Sequence, residues 1–181
     1  MKYLTLGAAA LAMLTACSNG TDAPVDPAKA VYECPQDKWL ANADYVDENV
    51  PAPLADFAAW HAENGKRKGV KTAESGLQYK IVQKGLKDGA TPVGSQKVEM
   101  HYHGFYPDGS VFDSSIDRDK TMTHNANGFI KGWNETLAGM KVCEARILYI
   151  PGDLAYGPNG RGPIPPNATL LFHMQLLGVK K

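Results

Sequence analysis

Hydrophobic and polar positions change their period several times along this chain, and each change marks an element. Leu77, Tyr79 and Ile81 alternate with Gln78 and Lys80, the period-two pattern of a half-buried strand. Val98, Met100 and Tyr102 alternate with Glu99, His101 and His103 in the same way. Residues 145–150 and 169–179 predict two further strands, the last with Leu170, Phe172, Met174 and Leu176 on one face. Pro107-Asp108-Gly109-Ser110 predicts a turn that returns the chain through Val111 and Phe112. From about residue 130 to 138 the period lengthens, with Trp133 and Leu137 one helical turn apart. Several strands and one short helix predict an α+β domain whose antiparallel sheet curls around that helix.

Upstream the pattern is weaker. Pro51 and Pro53 predict the opening of a helix in which Leu54, Phe57, Ala58 and His61 fall at i, i+3, i+4 and i+7, with Trp60 beside them. It ends near Asn64-Gly65, where Lys66, Arg67 and Lys68 suit the negative end of the dipole. Residues 31–50 have scattered apolar content (Val31, Tyr32, Trp39, Leu40, Tyr45, Val46) and predict a partly ordered arm. Residues 18–29 are mostly Ser, Asn, Gly, Thr, Asp, Pro and Ala, with Val25 and Lys29 besides, and have little to bury, a flexible tether.

At the amino terminus Lys2 precedes an apolar stretch over residues 4–14, shorter than the roughly 20 residues of a spanning helix. That is the pattern of a secretory signal. It ends Leu14-Thr15-Ala16-Cys17, which resembles the bacterial lipobox, in which the cysteine is lipidated before cleavage. The alternative is an ordinary signal cut near Ala16 with a bystander cysteine. Each buried methylene of an acyl chain contributes about 0.8 kcal/mol, so several chains on Cys17 would hold the protein to a membrane durably. Ser18, in place of Asp, at the second mature position fits sorting to the outer membrane of a bacterial envelope, on either its periplasmic or its surface face. The expected organisation is therefore a signal peptide over 1–16, a lipidated tether and arm over 17–50, a helix and linker over 51–74, and a folded domain over 75–181.

Charge adds an exclusion. The full chain carries 19 basic and 19 acidic residues; removing residues 1–16 takes away only Lys2 and leaves 18 against 19, a net charge of −1. That balance gives no electrostatic reason to bind nucleic acid. Two cysteines remain besides Cys17, namely Cys34 and Cys143. In an oxidising envelope they are a candidate disulfide, the alternative being one buried and one exposed thiol. A bridge would close a loop of about 110 residues, contributing about 4–5 kcal/mol if unstrained.

The candidate chemistry lies in five separated motifs: Met100-His101-Tyr102-His103-Gly104, Val111-Phe112-Asp113-Ser114-Ser115, Gly128-Phe129-Ile130-Lys131-Gly132-Trp133, Leu154-Ala155-Tyr156-Gly157, and Ile164-Pro165-Pro166-Asn167-Ala168-Thr169-Leu170-Leu171-Phe172. No Ser/His/Asp triad, phosphate loop or metal cluster accompanies them. Large aromatics from separate segments with one carboxylate predict an apolar pocket with a few polar handles. Any one of these aromatics taken alone would read as core; it is the set, with Asp113, that points to a pocket.

This order and spacing resembles the FKBP family of peptidyl-prolyl cis–trans isomerases over roughly residues 75–179. The resemblance implies an antiparallel half-open β barrel wrapped around the short helix, with the pocket between helix and concave face. By the same resemblance Trp133 forms the floor, and Tyr102, Phe112, Phe129, Ile130, Tyr156 and Phe172 the walls, while Ile164 contributes to substrate binding. The Ile130 N–H and the Tyr156 hydroxyl would hold substrate carbonyls. Asp113 would orient Tyr102 at the rim, with Arg118 as its partner. The implied activity is rotation of X–Pro bonds in envelope or secreted proteins, with no cofactor and no metal. The alternative is a non-catalytic chaperone or adhesion module that holds proline-containing chains in the same groove. Asp113, Tyr156 and Trp133 together favour the enzyme, since holding alone needs no rim carboxylate.

The chain also departs from the family pattern. Residues 120–127 lack the phenylalanines common there; Met122 is expected to take the aromatic's place, and His124 has no assigned role. Phe129 stands where a smaller valine is common, which narrows the pocket for the macrolides that inhibit this family. The loop over residues 157–163 is expected either to set preference at flanking substrate positions or simply to turn tightly. His101 and His103 share a strand face without a third ligand and are expected as surface histidines. The helix and linker into residues 75–79 resemble the entry to the catalytic domain in Mip-like and FkpA-like members of the family, and with the lipobox the chain reads as a bacterial lipoprotein similar to them. Those have a long helical dimerisation region, for which this chain has too few residues, so the oligomeric state stays open.

Overall fold

A computed structural model describes Cys34 and residues 56–180. The signal peptide, Cys17, the tether, the arm apart from Cys34, and the two prolines expected to open the first helix lie outside the described residues.

Helix α1 (Phe57–Gly65) is followed by strands β1 (Lys71–Thr72), β2 (Gln78–Gln83), β3 (Lys97–Phe105), β4 (Val111–Ser114) and β5 (Met122–Asn125). Helix α2 (Lys131–Ala138), strand β6 (Ala145–Ile150) and the long strand β7 (Leu170–Lys180) complete the order. Two single-turn 3-10 helices, Gly152–Leu154 and Gly157–Asn159, fall between β6 and β7. The strands form one antiparallel sheet in the order β1-β2-β6-β7-β3-β4, with β5 also pairing β3. This is the α+β architecture expected, a curled sheet against one short helix.

Strand β6 is buried along its whole length, so its alternate residues serve two different clusters. Leu148 and Ile150 join the large inner cluster with Trp133 and Leu137 of α2, Met100 and Tyr102 of β3, and Leu170, Phe172, Met174 and Leu176 of β7. Ile147 and Tyr149 face the other way, into a smaller cluster with Phe105, Leu171 and Trp60. The inner layer closes tightly at Gly132, where a Cβ would lie 2.6 Å from Ile150 Cγ2.

Strand β5 was not legible as a strand. Its sequence, Met-Thr-His-Asn, has no alternation, yet it pairs residues 97–100 of β3, while β4 pairs residues 103–105 on the same edge. Two short strands thus cover an edge of β3 that would otherwise expose unpaired N–H and C=O groups.

Helix α1 differs from the expected pattern in its start and in its buried face. Asp56 caps it, its Oδ1 accepting from the N–H groups of Ala58 (2.8 Å) and Ala59 (3.3 Å). Trp60 and Asn64 are its buried residues, both fully, whereas Phe57 and His61 are half-buried and Ala58 is exposed. The reason is the docking surface: the outer face of the sheet offers Tyr149 to Trp60, with ring centroids 6.1 Å apart. It also offers Gln78, whose Oε1 accepts from Asn64 Nδ2 at 2.9 Å and whose Nε2 donates to the His61 carbonyl at 3.0 Å. Gln78 is therefore buried, against the expected alternation, and Ile81 is 38% exposed. A buried amide is tolerated here because its hydrogen bonds are made. The His61 ring closes the junction through Nε2, 2.7 Å from the Gly76 carbonyl; a carbonyl can only accept, so Nε2 carries the proton.

His103 and His173 also differ from surface histidines: they are buried on the outer face beside Phe105. His101 is half-buried, with Nδ1 3.0 Å from Ser115 Oγ. Cys34 and Cys143 are joined by a disulfide with Cα atoms 5.1 Å apart. Cys143 sits in the turn before β6, and its N–H donates to the Leu176 carbonyl on β7 at 2.7 Å.

Candidate active site

Between α2 and the concave face of the sheet lies an open cleft of about 660 Å³. Tyr102, Phe112, Asp113, Met122, Phe129, Ile130, Trp133, Tyr156, Ile164 and Phe172 all line it, together with Gly128, Arg161, Gly162 and Pro163. Every pocket residue named from the sequence therefore falls on one surface.

Regular periodicity delivers most of these side chains. Strand β3 points Tyr102 inward with Val98 and Met100, and β7 points Phe172 inward with Leu170 and Met174. Helix α2 begins at Lys131, so Trp133 lies in its first turn, at the mouth of the curl. The rings pack edge to face: Tyr102 to Trp133 and Trp133 to Phe172 have centroids 5.0 Å apart at 70° and 80°, and Phe112 meets Phe172 at 5.4 Å and 89°. Such geometry sets the positive edge of one ring on the negative face of the next. Gly104 makes this close packing feasible, since a Cβ there would lie 2.8 Å from both Phe112 Cζ and Phe172 Cε1.

The polar handles are held by one another. The Tyr102 hydroxyl donates to Asp113 Oδ2 at 2.6 Å and accepts from Arg118 Nη2 at 2.7 Å. Arg118 Nη1 donates to Asp113 Oδ1 in the same ion pair, and the guanidinium lies 5.7 Å from the Tyr102 ring centroid. Burial, and then the bond to Asp113, push the Tyr102 phenol up to about 12, against the opposing influence of Arg118. Tyr102 thus stays protonated through the physiological range, its hydrogen committed to Asp113.

Two positioning residues escaped the sequence reading. Ser115 Oγ accepts from the Tyr102 N–H at 2.8 Å and donates to the Tyr102 carbonyl at 3.0 Å, tying the segment after β4 to the strand that carries Tyr102. Asn134 Oδ1 accepts from the Phe129 N–H at 3.0 Å, and its Nδ2 donates to the Asn127 carbonyl at 3.2 Å. That amide shapes the turn presenting Phe129 and Ile130. A short amide near a helix start was the available signal, because such residues commonly bond nearby backbone. His124 gains a structural account too: its ring meets Phe129 edge to face at 5.1 Å, and its Nδ1 accepts from the Asn125 N–H at 2.8 Å.

Tyr156 lies between the two 3-10 turns. The following loop is clamped by paired bonds between Arg161 and Ile164, and by the Tyr106 hydroxyl donating to the Pro163 carbonyl at 3.1 Å.

A sheet curled around one short helix, with an aromatic cleft between them and a Tyr–Asp–Arg set at its rim, defines the FKBP class of domain. Residues 89–177 match the family described as FKBP-type peptidyl-prolyl cis-trans isomerase, and residues 12–81 match the domain amino terminal to it. The chain belongs to the FKBP-type peptidyl-prolyl cis-trans isomerase family.

Its relatives include the FKBP-type peptidyl-prolyl cis-trans isomerase FkpA of Aeromonas hydrophila, 43% identical over 120 residues, or 66% of this chain and 44% of that one. Outer membrane protein MIP of Legionella longbeachae is 41% identical over 124 residues, 68% of this chain and 52% of that one. Among solved structures, a peptidyl-prolyl cis-trans isomerase from Pseudomonas syringae superposes with a TM-score of 0.63 at 30% identity, over 68% of this chain and 90% of that one. The chain spans roughly half the length of the curated relatives it matches.

Proposed function

We propose that this protein accelerates cis–trans rotation of X–Pro bonds in polypeptides of the bacterial envelope, without a covalent intermediate. The observation that carries this reading is the cleft itself: an open aromatic box with the Tyr102 hydroxyl, Asp113 and Arg118 paired with one another at its rim.

Rotation about a prolyl bond faces a barrier of about 18–20 kcal/mol because resonance fixes the amide plane and spreads charge onto the carbonyl oxygen. Twisting removes that charge separation, so the twisted amide is the less polar species. A cleft walled by Tyr102, Phe112, Phe129, Trp133 and Phe172 penalises the planar amide more than the twisted one. That difference between ground and transition state is what catalysis requires. A million-fold acceleration corresponds to about 8 kcal/mol of such discrimination.

In this reading the proline ring rests on Trp133, and the Ile130 N–H and the Tyr156 hydroxyl anchor the flanking carbonyls. Asp113 faces the twisting amide while holding the Tyr102 ring in place. Ile164 and Met122 contact the substrate beside them. Macrolides that bind this family should compete for the same cleft, with Phe129 narrowing it. The lipobox supports acylation at Cys17, and a relative named as an outer membrane protein supports that membrane as the destination. A disulfide from Cys34 to Cys143 suits an oxidising compartment. On this reading the chain divides into a signal over 1–16, a lipidated tether and arm over 17–50, a helix and linker over 51–74, and the isomerase domain over 75–181.

The test is a protease-coupled or refolding assay on a proline-limited substrate, run with the chain lacking residues 1–17. Acceleration that a macrolide abolishes supports the isomerase. Peptide binding with no acceleration over background would make the protein a holding module instead. Acylation is tested separately, by mass analysis of the membrane-extracted protein and by release of a Cys17→Ser variant.

A further inference from the structure

Two charged residues line the cleft, and they stand in different electrostatic situations. Asp113 is neutralised by Arg118. Arg161 has no carboxylate within ion-pair distance among the described residues. Its guanidinium lies 5.8 Å from the Tyr156 ring centroid, over the residue assigned to hold a substrate carbonyl. The position is built rather than incidental. Arg161 N–H donates to the Ile164 carbonyl at 3.0 Å, Ile164 N–H returns a bond to Arg161 at 2.9 Å, and Tyr106 pins the neighbouring Pro163. The backbone carrying this cation is therefore fixed to the wall of the cleft.

We propose that Arg161 makes the cleft selective for prolyl bonds flanked by an acidic side chain. The proposal rests on the isomerase reading above and names its substrate class. With Asp113 already paired, Arg161 sets the sign of the field at the mouth. A substrate carboxylate next to the proline meets a guanidinium held in place by an aromatic face, whereas a substrate lysine meets like charge. The site is exposed, so the effect is modest: about 1.5- to 5-fold in kcat/KM, the range of solvent-exposed ion pairs.

The experiment measures prolyl exchange by NMR, which needs no coupling protease, on short peptides with Glu, Ala or Lys placed before or after the proline. The expected order of kcat/KM at low salt is Glu above Ala above Lys in at least one placement. Arg161→Ala should flatten the order, Arg161→Glu should invert it, and 1 M NaCl should collapse it, as the screening length falls to about 3 Å. Acceleration of the Ala peptide with equal handling of Glu and Lys would overturn this inference and leave the isomerase reading standing. An Arg161→Glu variant that slows all three peptides by one factor would overturn it too, reducing Arg161 to a prop for Tyr156. Failure to accelerate any peptide would overturn the isomerase reading, and this one with it.

Discussion

Trp133 and Trp60 lie on opposite faces of one sheet, and both are almost wholly buried, at 5% and 0% exposure. Around Trp133 the neighbours are rings set edge to face along an open cleft. Around Trp60 they are Phe105, Ile147, Tyr149 and Leu171, and the helix that carries it is fastened by bonds through Asn64, Gln78 and His61. Burial alone does not separate a binding floor from a structural plug. The distinction lies in what completes each surface: the protein's own polar bonds on the outer face, and open space on the inner one.

The sharpest break in this comparison comes from removing each indole. Either Trp60→Ala or Trp133→Ala should cost about 3–5 kcal/mol of unfolding free energy in denaturant titrations. For Trp60→Ala the folded fraction should retain its kcat/KM, whereas Trp133→Ala should lose activity by more than tenfold. Equal activity in the two variants would erase the functional difference between the faces. Next in size is Gly104→Ala, whose new methyl group would press on Phe112 and Phe172 at 2.8 Å. Overpacking of this kind costs about 1–3 kcal/mol, and here it should also lower kcat/KM by moving the cleft walls. Asp113→Asn should reduce activity by about tenfold, equivalent to about 1.4 kcal/mol of barrier, as read in the peptide assay. Its effect on unfolding should stay within about 1 kcal/mol, because the ion pair with Arg118 is half exposed.

The smallest effect is one of pH, and it sharpens the outer side of the comparison. Burial lowers the His61 pKa, against the bond to Gly76 and the charge of Asp153, which raise it. A histidine with a depressed folded pKa favours the neutral form when folded. Its contribution is therefore complete above the unfolded value near 6.5 and is lost as pH falls toward and through the lowered value. His101 is shifted the same way by burial, opposed by Asp119 and Glu99. Denaturant midpoints should accordingly decline below about pH 6.5, and His61→Gln should flatten part of that decline. Since His61 lies at the α1 junction and outside the cleft lining, kcat/KM per folded molecule should not follow the same curve.

The concave face was the legible one. Alternation placed Val98, Met100, Tyr102, Phe172 and Met174 on the side where they lie, because a curled sheet leaves one continuous face for apolar residues to fill. The resemblance then assembled scattered aromatics into the set that lines the cleft. The outer face was not legible for a physical reason. Burial there is secured by specific hydrogen bonds, which apolar periodicity does not report: Gln78 goes inside because Asn64 and the His61 carbonyl satisfy it. Trp60 stands beside the expected stripe because its partner, Tyr149, comes from a strand distant in sequence. Strand β5 was invisible for a related reason, being held by the open edge of β3 rather than by any pattern of its own. Ser115 and Asn134 act through side-chain bonds to the backbone of other residues, and a backbone partner carries no residue-type signal of its own.

The link between Cys34 and Cys143 has a mechanical consequence. Cys143 is bonded to Leu176, four residues beyond Phe172 on β7, and hence roughly 14 Å further along the strand. A pull applied anywhere ahead of residue 34 would enter the domain through that covalent knot. The helix carrying Trp60 follows residue 34 in the chain, so the knot takes the load before it. A load entering there would be handed first to β7 at Leu176, away from the end of that strand that holds Phe172.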